Sequence, residues 1–476
     1  MRICLILEGS YPFVNGGVST WMHQYITEMP EHEFVLWVIG AKASDKDRFV
    51  YKLPPNVVGV EQVFLDDALR LKHSGKFKNK FTEEEQEALR RLVSSDKPDW
   101  DLLFKMYQVK RINPMSYLQS QSFLEVLTEI CQKEYPFGAY SDTFHSVRSR
   151  LLPVLYLMGS KIPDADCYHS ICTGYGGLLA SMASRIKKKP LILTEHGIYT
   201  REREEEIIRA KWVAKAFKNQ WIKFFYMLSD LIYENSFRIT SLFTRAMYTQ
   251  IDMGCDPAKC RVIENGISYE RLCNIPLKEE NGIVDIGAVV RLAPIKDIKT
   301  MIYAFFELCA RMDNVRLHIM GGVDDQDYAD ECYALVKQLG LEDKIIFTGR
   351  VNIIEYFEKL DFTLLTSISE GQPLSVLESF AARRPAVTTD VGCCSELLNG
   401  KPGDKLGKAG YFVPPMQRGK LADAMERLCE SRELRLKMGE IGQKRTYEHY
   451  RYDIMLTKYR DLYKEVEEEW PGLDLN

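Results

Sequence analysis

FTLLTSISEGQPLSVLESF, residues 362–380, reads as a buried strand, a loop and a helix in direct succession. The apolar run FTLLTS stops short of Glu370, Gly371 and Pro373, and LSVLESF then takes up a helical spacing. A short continuous apolar run that passes at once into a helix belongs to a parallel sheet, whose strands are covered on both faces. The pattern repeats on either side, at IVDIGAVVRL (283–292), VRLHIMGG (315–322), KIIFTGR (344–350), PAVTTDVG (385–392) and GYFVPP (410–415). Helical patterns such as DIKTMIYAFFELCARM (297–312) and DQDYADECYALVKQLG (325–340) lie between them. The second half is therefore expected to be a doubly wound α/β domain.

The first half shows the same alternation, with strands expected at RICLILE (2–8), EFVLWVIG (33–40), CYHSIC (167–172), PLILTEH (190–196) and CRVIEN (260–265). An insertion over about 66–160 interrupts it with amphipathic helical stretches, opening on the capping-box spacing Thr82–Glu85. The polar, Pro/Gly-punctuated LCNIPLKEENG (272–282) marks a boundary. This gives an N-terminal domain over 1–275, a C-terminal domain over 276–445 and a terminal helix over 446–476. In that helix Tyr452, Met455, Tyr459, Leu462 and Tyr463 form one apolar stripe. Two doubly wound, Rossmann-like domains facing a cleft are expected, with ligands at the carboxyl ends of both sheets.

The composition, 46% apolar and 27% charged, is that of a globular protein, and 476 residues exceed one ordinary core. A net charge of −4 argues against a dedicated nucleic-acid binder. One local exception is the basic LKHSGKFKNKF (71–81). The N-terminal apolar run passes straight into Glu8, unlike a signal peptide, and LLPVLYLM (151–158) is too short to span a membrane. The twelve cysteines show no paired CxxC spacing, so reduced thiols in the cytoplasm are expected.

Glu370 stands in a loop after a strand, and Glu378 stands eight residues on, inside the helix. Pro373 suits the first helical position, and the free N–H groups of that turn make a site for phosphate or sugar oxygens. Two flanking carboxylates suit a ligand with both hydroxyls and phosphate, although a capped surface helix with solvated glutamates explains the same spacing. Arg291 and Lys296 follow the strand at 283–292, where a fork and a point charge can neutralise a diphosphate. Exposed loop charge is the plainer reading. Gly16 and Gly17 precede a helix expected over 18–29 and allow close backbone approach to an anion, or form a simple turn. No GxGxxG fingerprint is present. His196, at the end of PLILTEH, can meet a sugar at the strand end or sit in the core. His169 reads as structural. Asp45/Asp47, Asp164/Asp166 and Asp325/Asp327 all spell DxD, and a pattern so easily repeated assigns no metal.

EGQPLSVLE (370–378) resembles the E-x7-E signature of the retaining GT-B glycosyltransferases of family 4. ADCYHSICTGYGGLL (165–179), CRVIENGIS (260–268) and VVRLAPIKD (289–297) are similar to that family's landmarks, in its order. Within it, EGSYPFVNGGVSTW (8–21) and LTEHGIYTRERE (193–204) resemble the PelF group of cytoplasmic enzymes of Pel exopolysaccharide synthesis. The resemblance implies a GT-B fold whose C-terminal helix returns to the N-terminal domain. It also implies metal-independent, cofactor-free transfer of a hexose from a UDP-sugar, UDP-glucose or a UDP-N-acetylhexosamine, to a growing polysaccharide. Arg291 and Lys296 would hold the donor diphosphate, Glu378 the ribose and Glu370 the hexose. Backbone N–H groups at Gly371, Gln372, Leu374 and Ser375 would assist. Gly17 would approach the diphosphate, His196 the donor sugar, and Arg350 and Val351 the base. Asp297 departs from the glycine that many members carry. The insertion with its basic stretch could dock a membrane-bound synthase complex, which would place the enzyme peripheral to the inner face of the membrane, and a solvated helical excursion is an equally good reading of it. A nucleotide-sugar epimerase and a non-catalytic nucleotide-sugar scaffold remain as alternative readings.

Overall fold

The computed structural model describes residues 1–14, 16–72 and 80–470. The chain divides into two compact units. Unit 1 comprises Met1–Ser241, Met247–Val262 and the chain from Asp461 onward; unit 2 comprises Leu242–Ala246 and Ile263–Arg460. The centre of the basic stretch 71–81, residues 73–79, lies outside the described residues, and with it the docking role read there.

Unit 1 holds seven strands: β1 (Arg2–Glu8), β2 (Glu33–Gly40), β3 (Val57–Phe64), β4 (Cys167–Ser170), β5 (Leu191–Glu195), β6 (Arg238–Ser241) and β7 (Cys260–Val262). All pair in parallel, in the order β3-β2-β1-β4-β5-β6-β7. Unit 2 holds six: β8 (Val284–Val289), β9 (Val315–Met320), β10 (Ile345–Gly349), β11 (Phe362–Leu365), β12 (Ala386–Thr389) and β13 (Gly410–Val413). They too are parallel, in the order β10-β9-β8-β11-β12-β13. In each sheet the order runs outward from a central pair, β1/β4 in unit 1 and β8/β11 in unit 2. Such a pair is a topological switch point, where the loops at the strand ends part and leave a crevice.

The central strands are continuous apolar runs because helices cover both faces, and Ile3–Leu7, Ile286, Leu317 and Leu364 are buried. Two strands were not foreseen. β3 is an edge strand whose residues are mostly half-buried and mixed in polarity, and β6 is only RITS. Neither offers a continuous apolar run to read.

The insertion folds as helices between β3 and β4. Thr82 and Glu85 close a reciprocal capping box, with Glu85 N–H donating to Thr82 Oγ1 (3.2 Å) and Thr82 N–H to Glu85 Oε2 (2.8 Å). Asp99, Asn113 and Ser120 cap the following helices, and Trp100, Phe104, Tyr107, Phe123 and Leu127 join the core of unit 1.

The described part of the terminal helix expected over 446–476 falls in two elements. Arg432–His449 ends at Tyr450, and Tyr452–Glu469 follows. The latter belongs to unit 2 as far as Arg460 and to unit 1 from Asp461. There the buried Tyr463 hydroxyl accepts from Tyr25 (2.7 Å) and meets His169 Nδ1 (2.6 Å), while His169 Nε2 meets Thr194 Oγ1 (2.8 Å). Burial holds the His169 pKa down to about 3, so it is a neutral structural residue. Arg238 pairs with Glu465 and Glu469 on the same helix half.

Candidate functional site

In unit 2 the switch point brings together the loops after β8 and β11. Lys296 Nζ donates to Glu370 Oε1 at 2.5 Å, and both side chains are largely buried. Ser367 Oγ donates to the same carboxylate oxygen (2.5 Å). The loops are stitched at the backbone as well: Ile368 N–H donates to Ile295 O (2.9 Å), and Thr366 Oγ1 donates to the carbonyls of Lys296 and Asp297 (3.1 Å each). Gly392, at φ +56°, packs on this loop, where a Cβ would come within 2.1 Å of Gly371 O and 2.4 Å of Glu370 O. Only glycine combines that conformation with that approach.

Arg291 does not join the Lys296–Glu370 pair; its guanidinium donates to Asp324, and both groups are solvent-exposed. Asp297 is left-handed (φ 46°, ψ 51°), and its Oδ1 accepts from Thr300 N–H (3.3 Å) to cap helix Ile298–Cys309. The position favours glycine, and aspartate tolerates it while supplying the cap.

Helix Leu374–Ala381 starts one residue later than expected: Pro373 is its N-cap, with no side-chain cap bond. The N–H groups of Gly371, Gln372, Leu374 and Ser375 donate to no acceptor among the described residues, as the open start of a helix requires. The Gln372 side chain is occupied elsewhere, its Oε1 accepting from Asn265 N–H (2.7 Å) and its Nε2 donating to Asn265 O (3.4 Å). Glu378 is half-buried, and its carboxylate makes no hydrogen bond or ion pair among the described residues. Burial raises its carboxyl from 4.5 to about 7, against a partial pull downward from Arg271. Arg350, after β10, is exposed and lies across Gly322 after β9, where a Cβ would meet its Nε at 2.8 Å. Val351 follows, half-buried.

Unit 1 presents a different set at its strand ends. Gly17 opens helix Gly17–Thr27, which has no side-chain cap and no acidic residue in its first turn. Nothing lies within 4 Å of a Cβ built there, so the approach is open. His196 follows β5, its ring edge-on to Trp21 (4.7 Å, 82°), with Nε2 buried and without a partner. Burial lowers its pKa to about 4, so it is neutral at physiological pH.

Two carboxylates at these ends escaped the sequence reading. Glu195 accepts from Thr173 Oγ1 (2.8 Å), Gln250 Nε2 (2.8 Å), Tyr233 OH (2.9 Å) and Tyr199 N–H (3.1 Å), yet burial still raises its pKa. It fixes the strand end from which His196 projects. Glu8, at the end of β1, accepts from Gly176 N–H (3.3 Å), and burial raises its pKa too. A charge that closes an apolar strand run was the available signal for both.

The DxD carboxylates have structural partners. Asp164 pairs with Lys187 (2.5 Å), Asp166 accepts from Arg2 N–H (2.8 Å), Asp325 caps helix Gln326–Gln338, and Asp47 accepts from Gln62 (2.6 Å). Among the described residues no group of three or more histidine, cysteine or acidic side chains could hold a metal ion.

The profile of the Domain of unknown function (DUF3492) covers residues 1–258, and that of Glycosyl transferases group 1 covers 277–445. The N-acetyl-alpha-D-glucosaminyl L-malate synthase of Bacillus anthracis is 27% identical over 195 residues, 40% of this chain and 49% of that protein. The chain thus spans about half the length of that relative. The MMP alpha-(1->4)-mannosyltransferase of Mycolicibacterium hassiacum is 23% identical over 348 residues, 72% of this chain and 80% of that protein. Among solved structures, Anabaena HepE in complex with UDP shares the fold with a TM-score of 0.62 at 14% identity, over 98% of this chain and 100% of that one. The two parallel-sheet units are those of the GT-B fold.

Proposed function

We propose, for a chain that belongs to the DUF3492 family and carries a group 1 glycosyltransferase domain, retaining, metal-independent transfer of a hexose from a UDP-sugar to a growing polysaccharide. The observation that carries this reading is the Lys296–Glu370 pair at the unit 2 switch point, beside an open helix start and an unpartnered Glu378. A largely buried cation whose one carboxylate partner among the described residues sits on a loop at the strand ends can exchange that partner for a phosphate. Lys296 and Arg291 then hold the diphosphate and take up the charge that grows on it as the anomeric C–O bond breaks. The acceptor oxygen attacks the face from which the nucleotide leaves, and its proton passes to a phosphate oxygen of the donor. Glu370, freed from Lys296, accepts from hexose hydroxyls, and Glu378 accepts from the ribose. The base lies by Arg350 and Val351, Gly17 offers its N–H to the diphosphate, and the neutral His196 hydrogen-bonds the sugar.

Support for glycosyl transfer comes from the relatives, one named an N-acetyl-alpha-D-glucosaminyl L-malate synthase and the other an alpha-(1->4)-mannosyltransferase. EGSYPFVNGGVSTW and LTEHGIYTRERE support a family 4 enzyme of the PelF kind, on the cytoplasmic side of Pel-type exopolysaccharide synthesis. Calorimetry with a panel of UDP-, GDP- and ADP-sugars in the presence of chelator tests the reading. Binding of a UDP-sugar, UDP-glucose or a UDP-N-acetylhexosamine, that chelator leaves intact is expected. Affinity that appears only with magnesium or manganese contradicts the metal-independent part, and preference for another nucleotide contradicts the donor.

A further inference from the structure

Between helices Tyr199–Arg209 and Lys218–Asn235, unit 1 carries IRAKWVAKAFK (208–218) at its surface. Ile208 is 57% and Trp212 64% exposed, while Val213 and Phe217 are buried and tie the segment down. Trp212 leans one edge on Trp221 (5.2 Å, 87°), so its ring is held in place while most of it faces solvent. Lys218 Nζ donates to the carbonyls of Ile208 (2.5 Å) and Ala210 (3.0 Å), fixing the turn.

From Ile207 to Phe224 there is no acidic residue, against Arg209, Lys211, Lys215, Lys218 and Lys223. Lys223 pairs with Asp96 (2.5 Å) and Arg209 reaches Glu205 (3.7 Å), but Lys211 and Lys215 have no ion-pair partner among the described residues. On the preceding helix, Glu204 accepts from Tyr226 OH (3.0 Å) and Glu206 pairs with Arg203 (2.5 Å).

We propose that this segment is an interfacial anchor that seats unit 1 on an anionic bilayer surface. A tryptophan ring with an apolar body and a polar N–H settles at the headgroup level, and a flanking isoleucine adds buried apolar area. The unpaired lysines meet the negative headgroups, each worth roughly fivefold in binding. Two apolar side chains ringed by cations are too small a face for a stable protein partner, which buries about 800 Å² per side. Among the described residues no helix is long and apolar enough to cross a membrane.

Sedimentation of the full chain with phosphatidylcholine vesicles, alone or mixed with phosphatidylglycerol, tests the anchor. Binding to the mixed vesicles only, weakened by added salt, is expected. The Lys211→Glu/Lys215→Glu variant should lose at least roughly twenty-five-fold in affinity, and Trp212→Ala severalfold. Unchanged melting temperatures and unchanged UDP affinity confirm that these exposed substitutions act locally. No binding to the anionic vesicles overturns the proposal, as does equal binding to neutral ones or binding that both variants leave intact. Retention on native membranes without vesicle binding means a protein partner instead, and overturns it too.

Discussion

At the switch point of unit 2, formal charges face one another: Lys296 against Glu370, with Arg291 and Asp324 further out in solvent. At the strand ends of unit 1, burial keeps His196 neutral and raises the carboxyls of Glu8 and Glu195. The cation near Glu8 is Arg203, whose guanidinium also lies over the Tyr199 and Phe225 rings. One sheet end is thus a largely buried ion pair. The other holds buried groups that burial pushes toward their neutral forms, with the Glu195 carboxylate already held by four donors.

The largest expected effect is at the ion pair. Lys296→Ala should lower turnover by about 10²–10³-fold with a smaller loss of donor affinity, because charge on the leaving group grows in the transition state. Single-turnover kinetics alongside calorimetry separate the two, and a loss confined to affinity would erase the contrast between the sheet ends.

Glu378 supplies the next test, through pH. Ribose hydroxyls donate to a carboxylate, so nucleotide affinity should rise as pH climbs through about 7, and Glu378→Gln should abolish that slope. Folding stability should move the other way. Because the folded-state pKa stands above the ordinary 4.5, the folded protein holds the proton more tightly, and the stability present below 4.5 declines as pH rises toward 7. Chemical denaturation at pH 5 and pH 8 checks the sign.

In unit 1, a His196 already neutral near pH 5 should leave no break around 6.5 in the pH profile of turnover. His196→Ala, which removes the hydrogen-bonding ring, should cost roughly tenfold in turnover, the worth of one hydrogen bond. A profile that breaks near 6.5 and flattens in this variant would make the unit 1 end a charged one. The smallest effect belongs to Asp297→Gly. Relief of the left-handed strain offsets the lost cap, so stability should change by less than about 1 kcal/mol and turnover not at all.

How much of this was legible follows from particular residues. The central strands could be read because parallel strands are apolar throughout, whereas the edge strand β3 and the four-residue β6 carry no such signal. Arg291, Lys296, Glu370 and Glu378 could be singled out because each follows a readable strand. Their partners could not: Lys296 and Glu370 lie 74 residues apart and meet only because β8 and β11 are neighbours. Glu195 draws its donors from four separate elements, which no local pattern announces. Asp297 looked like a departure from glycine, and its αL backbone and cap bond explain why both residues suit the position.

The most direct test compares UDP affinity in two variants, Glu378→Ala and Glu370→Ala. Ribose contacts do not depend on the sugar, so Glu378→Ala should weaken UDP by roughly tenfold to a hundredfold, the loss of hydrogen bonds to a charged group. Glu370→Ala should leave UDP affinity nearly intact if, as proposed, it meets the hexose, while transfer from the UDP-sugar falls by a similar factor. Equal losses of UDP affinity in both variants, or no loss in either, would contradict the division of labour between the two glutamates.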